Sequence, residues 1–111
     1  SEILESVRKT GKILFVDTCS ENFSVGPKIF HDVRKALKMD IKQELLALKH
    51  IPEPTSYHLT KNYYNYSADI VKKSAELLGI KKFDMADIVE ELKIATTEHH
   101  DIPAKWFKGP F

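Results

Sequence analysis

The chain has 111 residues, with 17 Lys and Arg against 16 Asp and Glu, a formal net charge of +1. That length carries one modest core, and the even spread of charge, with no basic block, excludes the electrostatic footprint of a nucleic-acid binder. No apolar run reaches the roughly 18 residues of a membrane span, the start has no signal-peptide core, and the lone Cys19 allows no internal disulfide, so a cytoplasmic protein is expected.

Ile3, Leu4 and Val7 lie on one face of a first helix, which Thr10 and Gly11 close, the glycine suiting a left-handed cap. Residues 12–17, Lys-Ile-Leu-Phe-Val-Asp, follow as a strand. Its consecutive apolar positions do not alternate, so it expects cover on both faces, as in a parallel sheet flanked by helices. The fold class is therefore α/β.

Residues 18–26 are rich in Ser, Asn and Gly, turn chemistry at the carboxyl end of a strand, where α/β folds place functional groups. Pro27 suits the first position of a second helix, with Ile29, Phe30, Val33 and Leu37 as its apolar stripe and Lys28, Arg34, Lys35 and Lys38 opposite. Residues 41–51 read two ways. Ile41, Leu45 and Leu48 fit a helix, whereas residues 45–51 fit a short strand stopped by Pro52, and the strand is the expectation adopted here.

Pro52 and Pro54 impose an extended path, followed by an aromatic-rich connection over 55–66 that holds Tyr57, His58, Tyr63, Tyr64 and Tyr66. Ser67 is the expected N-cap of a third helix, with Ile70, Val71, Ser74, Leu77 and Leu78 on one face and Gly79 at its end. A weaker helix over 85–95 carries Met85, Ile88, Val89 and Leu92, and the tail over 103–111 holds Trp106, Phe107 and Phe111.

Five short motifs in order carry a resemblance: Ile3 to Lys12 as Ile-Leu-Glu-Ser-Val-Arg-Lys-Thr-Gly-Lys; Ile13 to Asp17; Phe23-Ser-Val-Gly26 opening a helix; Ile51-Pro-Glu-Pro-Thr-Ser56; and Tyr63-Tyr64 with Ser67-Ala-Asp-Ile-Val71. Together they resemble the C-terminal domain of the transketolase superfamily, nearest to the beta subunit of thiamine-diphosphate-dependent 2-oxoacid dehydrogenases of the pyruvate, branched-chain and acetoin type. The resemblance spans residues 1–79 and covers the second half of that domain; residues 80–111 form an extension that does not align.

It implies a three-layer Rossmann-like fold whose partial sheet is completed by a partner chain, since two strands alone are marginal. It also implies larger subunits that carry thiamine diphosphate and magnesium, in a hetero-oligomer. In such enzymes the cofactor lies between other domains, and the Gly-Asp-Gly motif and metal-binding Asn are absent here, so this chain alone is expected to hold no cofactor and no catalytic residue. The family's acid soon after the loop glycine is replaced by Lys28. The implied role is a non-catalytic assembly segment or small subunit.

Phe23, Gly26, Tyr57, Tyr63, Tyr64, Trp106, Phe107 and Phe111 are the candidate interface residues, because large rings bury much area at little entropic cost. Filling this small domain's own core is the competing role for the rings. The alternative function is a stand-alone protein-binding module that uses the aromatic tail. Weaker candidates are a metal site at Glu98, His99, His100 and Asp101, set against a solvated turn, and a Cys19 thiol with His31 or His58, set against simple packing. Asp17, Glu21 and Asp32 read as solvated carboxylates rather than as general acid and base.

Overall fold

The computed structural model describes residues 1–60, 62–80, 86–94, 106 and 108–109, except for the side chains of Tyr57, Lys93 and Ile94. In chain order the elements are α1 (Glu2–Thr10), β1 (Lys12–Ser20), α2 (Gly26–Leu37), β2 (Lys42–Leu48), the single turn α3 (Tyr57–Thr60), α4 (Ser67–Leu78) and α5 (Ala86–Ile94). The α/β class holds, with one sheet of two parallel strands among the described residues.

The ends of α1 and α4 have identifiable causes. Glu2 and Glu5 favour the positive end of α1 and Arg8 and Lys9 its negative end, and Gly11, at φ 65°, stops it by donating to the Val7 carbonyl at 2.8 Å. The Ser6 to Lys12 junction is fastened by Thr10: its hydroxyl donates to the Ser6 carbonyl at 3.0 Å and accepts from the Lys12 N–H at 3.3 Å. Helix α4 ends in the same way at Gly79, φ 75°.

The sheet separates two helical layers. Val7 of α1, Val33 of α2 and Ile41 are buried together, with Leu4, Ile13, Ile29, Leu37 and Met39 packed around them. Phe15 stands on the same face, edge-on to Phe30 with centroids 6.4 Å apart. Alternate residues of a strand point to opposite faces, so Leu14, Val16, Glu44 and Leu46 belong to the other face. There α4 packs on both strands, Lys73 reaches Glu44, and α5 packs on α4.

Three boundaries differ from the sequence reading. β1 runs on to Ser20 instead of ending at Asp17, through a register irregularity between Val16 and Ser20 where the Asp17 carboxylate accepts the Cys19 N–H at 3.0 Å. β2 is a strand, but it spans Lys42–Leu48 rather than 45–51, and Gln43 and Glu44 are exposed strand residues. Ser67 is the first helical residue of α4 and not its N-cap. The N-cap is Tyr66, whose N–H donates to the Asp69 carboxylate at 2.9 Å.

Candidate functional site

The ladder between the strands determines which backbone groups are left over. Lys42 N–H donates to the Gly11 carbonyl at 2.9 Å, and Lys12 stands opposite Lys42. In a parallel strand the N–H and C=O of one residue point to the same side and alternate along the chain. Ile13 and Phe15 therefore bond to β2, while Lys12, Leu14 and Val16 turn away from it. On β2, Lys42, Glu44 and Leu46 bond inward, and Gln43, Leu45 and Ala47 turn outward.

Both edges are closed at one end only. Thr10 Oγ1 accepts the Lys12 N–H at 3.3 Å on the outer edge of β1 and shares its one proton between the Ser6 carbonyl at 3.0 Å and the Lys12 carbonyl at 3.2 Å. Asn65 donates its side-chain amide to the Ala47 carbonyl on the outer edge of β2, at 3.0 Å. Among the described residues, Leu14 and Val16 on one edge and Gln43 and Leu45 on the other have no backbone partner. A sheet edge in this state is a template for another strand.

The carboxyl end of the sheet is where an α/β ligand site is expected, and here its polar groups bond to one another. Ser24 Oγ donates to Asp17 Oδ2 at 2.6 Å and accepts the Gly26 N–H at 3.1 Å. The Ser24 hydroxyl, followed by the Cys19 backbone N–H, holds the Asp17 carboxyl below its ordinary range, which makes it a weak base. Asp17 acts in turn on Cys19: the carboxylate's charge and its hydrogen bond push the exposed thiol's pKa up, away from the nucleophilic thiolate. Ser20 Oγ lies 3.0 Å from His50 Nδ1, and Phe23 covers that ring at a centroid distance of 5.7 Å. These contacts pin the loop after β1 and set the Ser20 hydroxyl against the His50 imidazole.

The sequence-derived interface residues whose side chains are described fall into three groups. Phe23, 75% exposed, and Trp106, 81% exposed, stand at the surface. Val25, on the same loop as Phe23, is exposed as well. Tyr63 is buried in the chain's own interior, edge-on to the half-buried Tyr64 at 5.1 Å, and the Tyr64 hydroxyl donates to Glu53, so this pair fastens the 52–66 connection. Gly26 is buried against the sheet: an added Cβ would come within 2.8 Å of Leu45 Cδ1 and 2.9 Å of Phe15 Cδ1. Its smallness lets α2 lie close to the strands, and the close approach is internal.

Tyr57 opens α3, and its side chain lies outside the described residues, as do Phe107, Phe111 and the Glu98, His99, His100 and Asp101 group. Sequence reasoning named Thr10 only as closing the first helix, and passed over Asn65 and the Ser24 to Asp17 bond. A short polar residue flanking a strand was the available signal.

The start of α2 is the helix end that α/β folds use for phosphates, and there the Gly26 N–H is taken by Ser24, Pro27 has no N–H, and the Lys28 side chain is paired with Asp32.

Among the described residues no helix is long and apolar enough to cross a membrane, and no three His, Cys, Asp or Glu side chains gather to hold a metal ion. Comparison with protein-family models, curated proteins and solved structures finds no match to this chain.

Proposed function

We propose that the chain is a non-catalytic assembly segment, contributing subunit contacts to a thiamine-diphosphate-dependent 2-oxoacid dehydrogenase-like enzyme whose larger subunits hold the cofactor and magnesium. One observation carries the reading: among the described residues β1, an apolar strand, has helices over both faces but a paired strand on only one edge. An interior strand of a larger sheet has this character.

The topology says which edge is to be completed. α1 and α2 pack together on one face, and β1, α2 and β2 form a parallel crossover, a unit that is right-handed in nearly all proteins. A parallel strand joined through α1 by the same hand would come to lie on the outer edge of β1, against Leu14 and Val16. Val16, 43% exposed, supplies apolar surface there, and exposed Phe23 and Val25 extend the contact beyond the strand's carboxyl end. The five sequence motifs point to the same superfamily arrangement, the partner supplying the first half of the sheet.

The test is the native mass of the untagged chain as extracted from its source. Co-migration with larger subunits that carry thiamine diphosphate and magnesium is the expected result; migration alone or as a self-oligomer removes the reading. A stand-alone binding module is a second reading, favoured by the exposure of Trp106. Deleting residues 102–111 separates the two: loss of partner binding with an intact fold favours the module.

A further inference from the structure

The outer edge of β2 differs from that of β1 in what stands beside it. A groove of about 670 Å³ runs between α2 and this edge, lined by Pro27, Phe30, His31, Arg34, Lys35, Gln43 and Leu45. Phe30 and Leu45 give it an apolar floor, and none of its lining residues is acidic. The cations along its α2 wall are weakly engaged. Arg34 meets only Asp40, at 3.8 Å and with that carboxylate 98% exposed, and Lys35 has no ion pair among the described residues. Asp32, the acid on α2, is held by Lys28 and lines the separate groove against α1.

We propose that this groove receives an extended acidic segment of a partner protein, added as a strand to the outer edge of β2. Only an extended backbone meets both halves of the site. Its own N–H and C=O groups bond to the unpaired groups of Gln43 and Leu45, and every second side chain faces α2, its stem on the apolar floor and its tip toward the cations. Glu or Asp on such a segment would face His31, Arg34 and Lys35, which supplies the charge complementarity. On the α2 face the strand contributes Gln43 and Leu45, and the cations stand across the groove.

The inference deepens the assembly reading and rests on it only in giving the chain a protein partner. It also makes the two edges distinct: an apolar strand on β1, an acidic one on β2.

The test uses the full chain and a fluorescein-labelled peptide of about eight residues, a usual strand length, that alternates Glu with Val, compared with the same peptide carrying Lys in place of Glu. The Glu peptide is expected to bind by anisotropy, to weaken with added salt, and to protect the Leu45 amide from exchange while leaving Leu14 and Val16 unchanged. Arg34→Glu with Lys35→Glu is expected to weaken it about tenfold, the scale of two partly exposed ion pairs. Val16→Pro, on the opposite edge, leaves it unchanged. Equal binding of the Lys peptide, absence of binding by the Glu peptide to the natural chain, or protection at Leu14 and Val16 instead of Leu45 overturns the inference. Failure here with continued co-migration with thiamine-diphosphate subunits defeats this inference alone. Peptide binding by a chain that migrates alone upholds it and defeats the assembly reading.

Discussion

Replacing Gly26 with alanine tests how tightly α2 is seated on the sheet. The backbone accepts the change, since Gly26 is helical and only Gly11, Gly79 and Gly109 among the described glycines have positive φ. The added methyl carbon, however, lands 2.8 Å from Leu45 Cδ1, 2.9 Å from Phe15 Cδ1 and 3.3 Å from Ser24 Oγ. Leu45 can rotate its terminal methyl away. Phe15 has less freedom, because its ring is set edge-on against buried Phe30. Overpacking of this kind costs about 1–3 kcal/mol, and removing a glycine from a helix returns up to about 1 kcal/mol, less in a first turn. The expected net loss is about 1–2 kcal/mol, or about 5–10 °C in Tm at this chain length. Urea unfolding followed by circular dichroism measures it, with an unchanged slope showing that the denatured state is the same. Adding Leu45→Ala to Gly26→Ala should yield less than the sum of the two losses, because the new methyl enters the space the leucine leaves. A variant as stable as the natural chain, or additive losses, would refute the close seating of α2.

Val33→Ala, in the buried cluster with Val7 and Ile41, should cost about 2 kcal/mol in the same assay, from two lost methyl groups and the cavity they leave. Val16→Pro should leave the isolated chain folded, because its N–H points away from β2, whereas Phe15→Pro, whose N–H points into the ladder, should unfold it; circular dichroism distinguishes them. Asp17 has a folded-state pKa below its unfolded one, so its contribution is complete above the unfolded value and lost as pH falls through the folded one. Ser24→Ala should therefore flatten the stability profile below about pH 4, read as urea midpoints against pH. Asp17→Asn should speed alkylation of Cys19 by iodoacetamide at neutral pH, because the neighbouring carboxylate is what disfavours the thiolate.

Elements whose stability comes from a local apolar pattern were legible in the sequence. The stripe of Ile29, Phe30, Val33 and Leu37 gave α2, and the unbroken run after Gly11 gave β1 with cover on both faces. β2 was ambiguous because its first half, Lys42, Gln43 and Glu44, is exposed and charged or polar, and sequence shows no period for a strand whose outer edge faces solvent. The turn of α3 was missed because it rests on the Ser56 carbonyl accepting the Leu59 and Thr60 N–H groups, each at 3.0 Å, with no apolar face long enough to register. The shift of the α4 cap from Ser67 to Tyr66 has a similar origin: Asp69 reaches back to the N–H of residue 66, and either residue could precede the helix on propensity alone. The site was less legible than the fold. Aromatic content singled out Tyr63 as readily as Phe23, although one is buried and the other open, because burial depends on long-range packing that composition does not encode. The sheet edges were anticipated only as a strand count; which residues face outward follows from register.

Amide hydrogen exchange at Leu14 and Val16, compared between the isolated chain and the chain in its native assembly, tests the completion of β1 by a partner most directly. The account predicts fast exchange at both amides in the isolated chain, with Ile13 and Phe15 slower, and strong protection of Leu14 and Val16 in the assembly. Protection of these two amides in the isolated chain, or no change on assembly, would contradict it.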